Sequence, residues 1–139
     1  MRFLPLVCFA AVAGLIAACA GNPQPGDPGY RYNVSGRYAA TFVVEGNPYT
    51  GTMDLATAAG GAVTGTMAVT SPGEMTSSAT GVLMADTLRL TIPYQAPDGC
   101  TGTASLTGRI ADGGESVTGA MDLQDSCGGP LAGSFTFTR

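Results

Sequence analysis

Four cysteines and ten carboxylates are the side chains here whose types carry covalent, metal or acid–base chemistry. The cysteines are Cys8, Cys19, Cys100 and Cys127; there is no His, no Lys and no Trp. Without His there is no Ser-His-Asp triad, no Cys-His nucleophile pair and no imidazole metal ligand. Without Lys there is no Schiff base and no phosphate-binding P-loop. A pair of carboxylates flanking a glycosidic bond suffices for sugar hydrolysis. Asp54 and Asp122, however, fall on the polar side of alternating segments, and the other acids fall in turns or in the segment before them. No stretch has the alternating acidic spacing of a dedicated calcium loop. The expectation is a non-enzyme with no catalytic residue, no metal and no cofactor. A formal charge of -4 and a pI near 4.4, with Arg as the only basic residue type, exclude the usual basic nucleic-acid surface.

The cysteines sort by position. Residues 1–18, MRFLPLVCFAAVAGLIAA, place Arg2 before an apolar run from Phe3 to Ala18. That run has the length of a signal-peptide core and is too short for a stable transmembrane helix. It closes on Ile16-Ala17-Ala18-Cys19, which resembles the lipobox of bacterial lipoproteins. The resemblance implies cleavage before Cys19, thioether attachment of diacylglycerol, and acylation of the new amino group. The other reading is an ordinary signal peptide cut at Ala18, with Cys19 a bystander. The core-to-Cys spacing and the loop-like sequence that follows favour the lipobox. Residue 20 is Ala, not Asp, which by the enterobacterial sorting rule implies an outer-membrane lipid anchor. Acyl chains contributing about 0.8 kcal/mol per buried CH₂ make such an anchor effectively permanent.

Residues 19–33 then read as a lipidated Cys and a flexible Pro/Gly-rich tether, able to span on the order of 40 Å if extended. Cys8 leaves with the leader. Cys100 and Cys127 remain as an even pair in an oxidising compartment, where a disulfide is expected.

The elements that position these residues are strands. Residues 34–139 alternate apolar and polar with period two and show no helical periodicity. A unit of the form apolar-Thr-Gly-small-apolar-x-apolar recurs with variation in six copies, beginning at Tyr49, Val63, Ala79, Cys100, Val117 and Leu131. With two further strands that lack the central Gly, eight result: 36–44, 49–57, 62–70, 75–84, 87–94, 100–110, 116–124 and 131–138. The connections are short and rich in Gly, Pro, Asn and Asp, so sequential neighbours pair antiparallel. The expected fold is all-β: an eight-stranded antiparallel up-and-down meander closing into a small barrel, which removes both exposed edges. Gly recurring on the apolar face marks the tight coiling and close approach that a small barrel needs.

In such a meander the loops at 45–48, 71–74, 95–99 and 125–130 share one rim, the far rim. Cys100 and Cys127 both fall there, as a disulfide requires. So do the candidate ligand- or partner-contacting residues Tyr49, Tyr94, Glu45, Glu74, Asp98 and Asp125.

Gly36-Arg37-Tyr38 opens the first strand and Arg139 closes the last. This resembles calycin barrels of the lipocalin and avidin kind, which begin with Gly-x-Trp and often lay a basic residue of the last strand over that ring. Here Tyr38 stands in the Trp position, and the absence of Trp removes an avidin-like biotin site. Two functions remain. One is a structural or protein-interaction domain of the cell envelope, meeting a protein partner through the far rim. The other is a module binding a small apolar ligand inside the barrel. The long list of large inward residues predicts a mostly packed interior, with a shallow pocket near Tyr49 and Tyr94. A contiguous apolar cavity above roughly 300 Å³, the usual lower size of a ligand pocket, would instead favour the ligand reading.

Overall fold

The computed structural model describes residues 21–139. Cys8, Cys19 and the leader lie outside the described residues. Eight strands follow in order: β1 Gly36–Val44, β2 Asn47–Thr57, β3 Ala62–Ser71, β4 Met75–Met84, β5 Thr87–Gln95, β6 Thr101–Ile110, β7 Ser116–Asp125 and β8 Gly129–Thr138. Each pairs antiparallel with the next, and β8 returns to β1, so the sheet closes into a barrel in simple sequence order. The meander expected from the alternation is what forms.

Strand limits differ from the expected ones mainly at the far rim. β2 starts at Asn47 rather than at Tyr49, because Glu45 and Gly46 alone make the turn. Both have left-handed backbones (φ 49° and 81°), as in the two-residue hairpin turn whose twist matches the flanking strands. β8 likewise begins at Gly129, and Pro130 is accommodated at its end, opposite Gln124. Cys100 lies just before β6 rather than inside it.

The alternation resolves into an apolar inside and a Thr-, Ser- and charge-bearing outside. Tyr38, Met53, Val63, Leu83, Leu88, Ile92, Leu106, Val117 and Phe137 are all essentially inaccessible. Among the described residues, Val82 and Met84 are the large apolar side chains left exposed. No apolar band therefore encircles the barrel, as a membrane-spanning barrel would require.

Glycine on the inner face does what the repeat suggests. A Cβ at Gly108 would stand 2.6 Å from the Phe135 ring and 2.9 Å from the Thr118 carbonyl oxygen. Neighbouring strands and rings come closer there than any side chain permits.

The near rim is sealed. Residues 24–33, expected to be part of a flexible tether, form successive turns, with Asp27, Tyr30 and Asn33 each donating a backbone bond three residues back. The Asn33 side chain ties the Asp27 carbonyl to the Gly26 amide. The segment is fastened to the barrel as well. Arg31 forms a two-point ion pair with Asp112, and the Tyr30 hydroxyl donates to the Ala85 carbonyl at 2.9 Å. Val34 then enters the core fully buried. Two aromatic residues, Tyr30 and Tyr32, give this segment apolar surface to bury, which a Pro/Gly-rich tether otherwise lacks.

Behind this plug, Arg139 lies over the Tyr38 ring, its guanidinium carbon 4.9 Å from the ring centre. The buried Tyr38 hydroxyl donates to the Gly114 carbonyl at 2.7 Å and accepts from Arg139 at 2.8 Å. Tyr38→Phe leaves that carbonyl and guanidinium short of a partner. It is expected to cost about 1–3 kcal/mol, read by urea denaturation.

Candidate functional site

The opposite end of the barrel is built differently. From the plug to mid-barrel, Tyr38, Phe137, Phe135 and Phe42 stack ring against ring, with centroids 4.8 to 6.3 Å apart. Towards the far rim the inward positions shrink: Gly102 and Ala104 on β6 and Ala96 after β5. Tyr94 covers Gly102, but the space beside Ala104 and Ala96 is left open. A cavity of about 240 Å³ remains.

Its walls are Phe42, Met67, Val69, Ile92, Leu106, Met121 and Leu123, with Val44, Tyr49, Met75 and Leu131 nearer the mouth. The Cys100–Cys127 disulfide, its Cα atoms 5.7 Å apart, forms part of the mouth. The expected bridge is thus present, tying the β5–β6 loop to the β7–β8 loop.

The mouth opens on one side more than the other. β4 pairs with β5 only from Thr80 to Met84, opposite Thr91 to Thr87. From Met75 to Ala79, β4 keeps its ladder to β3 but has none to β5. Pro93, which has no amide to donate, sits in that unpaired stretch of β5 while pairing with Thr103 on the other side. Above the gap lies an open cleft of about 330 Å³ between the β3–β4 and β5–β6 loops. It shares Tyr49, Val69, Met75, Ala96 and Asp98 with the cavity, so chamber and cleft are continuous.

Polar groups at the chamber are few and placed. The Tyr94 hydroxyl donates to Asp125 Oδ2 at 2.6 Å. Asp125 Oδ1 accepts from the backbone amides of Cys127 and Gly128, both at 2.8 Å. Burial, and then the bond to Asp125, push the Tyr94 phenol well above its ordinary pKa. The Tyr94 bond, and then the two amides, hold the Asp125 carboxyl below the usual range. The pair is therefore a neutral phenol and a fixed carboxylate at neutral pH. Asp98 also lines the chamber, its carboxylate accepting from the Cys100 amide at 3.0 Å. Gly102 makes the arrangement possible: a Cβ there would stand 2.6 Å from Tyr94 Cζ.

Of the six rim residues expected from sequence, Tyr49, Tyr94, Asp98 and Asp125 line the chamber. Glu45 and Glu74 do not. Glu45 instead continues the β1–β8 contact beyond Val44, its carboxylate accepting from the Ala132 amide at 2.9 Å. Glu74 stays exposed in the β3–β4 loop. The mostly packed interior holds for the near half only. The pocket lies near Tyr49 and Tyr94 as expected but is deeper than the shallow one foreseen, because alternation reports which residues point inward, not how much space they fill. The signal that marks it is the inward Gly102-x-Ala104 pair opposite Tyr94 and Ile92.

Comparison with protein families and with curated sequences finds no match. Solved structures do match in fold. One is EF1p2_mFAP2b bound to DFHBI, with TM-score 0.61 and 13% identity over 76% of this chain and 93% of that one. Another is the redesigned β-barrel mFAP1 bound to DFHBI, with TM-score 0.55, 20% identity, 76% of this chain and 94% of that one. A third, the redesigned barrel mFAP0 bound to DFHBI, has TM-score 0.55 and 18% identity, over 76% of this chain and 98% of that one. The chain is a small closed β-barrel of the same architecture as these ligand-binding barrels.

Proposed function

We propose that this protein is a binding module that holds a small apolar ligand in the far-rim chamber of its barrel, tethered to the outer membrane through lipid on Cys19. The observation that carries the reading is the division of the barrel: one end sealed and ring-packed, the other hollow, apolar and open. Packing for stability alone gives no reason to leave such space, since each buried void forfeits contacts. At about 240 Å³ the chamber is below the roughly 300 Å³ of an ordinary ligand pocket. The ligand is accordingly small, of about one or two rings, and the cleft above gives it access. Tyr94 and Asp125 supply the few oriented polar contacts such pockets use for specificity. The similar barrels solved with DFHBI bound support the reading. It displaces the interaction-domain reading, which rested on a filled interior.

The test uses the chain carrying Cys19→Ala, which leaves every described residue in place. Native mass spectrometry is expected to show a co-purifying small molecule, or one taken up on adding 2-methylnaphthalene. With methyl-labelled Met, addition should shift Met67, Met75 and Met121 and leave Met84, exposed at the near end of β4, unmoved. Ala104→Phe fills the chamber and should abolish both effects while keeping the fold. Absence of any adduct and of any selective Met shift in the unfilled chain would overturn the proposal.

A further inference from the structure

Charge is divided between the two ends of the barrel, and the division bears on what the chamber accepts. Among the described residues the Arg side chains are Arg31, Arg37, Arg89, Arg109 and Arg139. Each belongs to the near half: in the plug, at the near end of β1, β5 or β6, or after β8. The ion pairs there are Arg31 with Asp112, Arg37 with Asp54 and Arg109 with Asp86. The far half holds carboxylates and, among the described residues, no basic side chain. Two of those carboxylates, Asp98 and Asp125, line the chamber itself.

We infer that the chamber selects an apolar molecule bearing one cationic or hydrogen-bond-donating group, such as an aryl-alkyl ammonium, and rejects anionic amphiphiles. The inference rests on the ligand-binding reading and adds the polarity of the ligand's head. The geometry gives each part a place. The apolar body fills the space between Phe42, Met67 and Met121. The head remains at the mouth, within reach of the Asp98 and Asp125 carboxylates.

Asp125 is suited to this. Its oxygens already accept from Tyr94 and two backbone amides, which fix the group in position without neutralising it. A carboxylate offers about four lone-pair sites, so acceptor capacity is left for a ligand. An anionic head would meet two fixed negative charges at the solvent-accessible mouth, with no cation among the described residues of that half to offset them. The phenol of Tyr94 is already committed as a donor to Asp125, so it cannot turn to serve an anion without breaking that bond.

The experiment compares three probes of one shape on the Cys19→Ala chain: 2-methylnaphthalene, 2-naphthylmethylammonium and 2-naphthoate. Affinities are read from the Met67 and Met121 methyl shifts at low and high salt. The ammonium is expected to bind about tenfold or more tighter than the naphthoate, with the neutral hydrocarbon between them and the gap narrowing at high salt. Asp98→Asn with Asp125→Asn keeps the side-chain shapes and the acceptors for the loop amides. It should reduce the ammonium-to-naphthoate ratio to about threefold or less. Equal binding of all three probes, or a preference for the naphthoate, overturns the inference while leaving the chamber a ligand site. Failure of all three to bind overturns the ligand-binding reading itself.

Discussion

Replacing Cys100 and Cys127 together by Ser is expected to lower the stability of the barrel by about 3–4 kcal/mol and its Tm by roughly 15 °C. The two residues stand 27 apart in sequence, and freeing a loop of that length restores that much conformational entropy to the unfolded chain. The native barrel itself keeps its β6–β7 ladder, which runs from Gly102 opposite Asp125 to Ile110 opposite Val117. What it loses is the restraint on two mouth loops, beside the place where β4 and β5 have no ladder. Binding at the chamber should weaken along with stability. Urea denaturation of the wild type and the double variant measures the first, and probe titration the second. A stability loss below about 1 kcal/mol would mean that the unfolded chain is already confined without the bridge. Intact mass before and after reduction, with thiol alkylation, checks the bridge in protein taken from cells; two free thiols there would refute it.

The barrel was legible because its signals are local and repeated. Period-two alternation from Gly36 to Thr138 sets the inward face, and the two- to five-residue connections leave only antiparallel neighbours as partners. The disulfide was legible from the same strand directions, which bring Cys100 and Cys127 to one rim before any distance is known. Tyr38 under Arg139 was readable from the two chain ends of the domain. Two features were not. The segment 21–33 has the Pro and Gly content of a free linker, and its docking depends on single partners far along the chain: Ala85, Asp112 and Gly113. The chamber's depth is a matter of volume. Phe135 fills the space that Gly108 leaves, and Tyr94 crosses Gly102 to reach Asp125, whereas Ala104 stays on the chamber wall. Which small residue is filled by a neighbour and which leaves a void depends on the stagger of eight strands, and no short window of sequence contains that.

Phe137→Ala should cost about 4 kcal/mol, near the top of the range for a single core truncation, whereas Met67→Ala should cost about 2 kcal/mol, near the bottom. The two residues are similarly buried, at 0% and 5% exposure, so burial alone predicts no such gap. Surroundings differ instead. Phe137 touches three rings, with Tyr38, Phe42 and Phe135 centred 6.3, 5.7 and 4.8 Å away. Removing it opens a void in a region fixed by the Tyr38–Arg139–Gly114 bonds, which has little freedom to collapse. Met67 faces the chamber, so part of its surface already lacks a partner, and the contacts forfeited by truncation are correspondingly fewer. The wall there is also lined by Met75 and Met121, whose unbranched side chains adapt to altered space. Chemical denaturation of both variants gives the comparison, and probe binding gives its second half. Met67→Ala enlarges the chamber and should admit a bulkier neutral aromatic than the wild type accepts, while Phe137→Ala, at the sealed end, should leave probe size unaltered. Equal destabilisation by the two substitutions would mean that the far half is packed as tightly as the near half, and the division on which ligand binding rests would be lost.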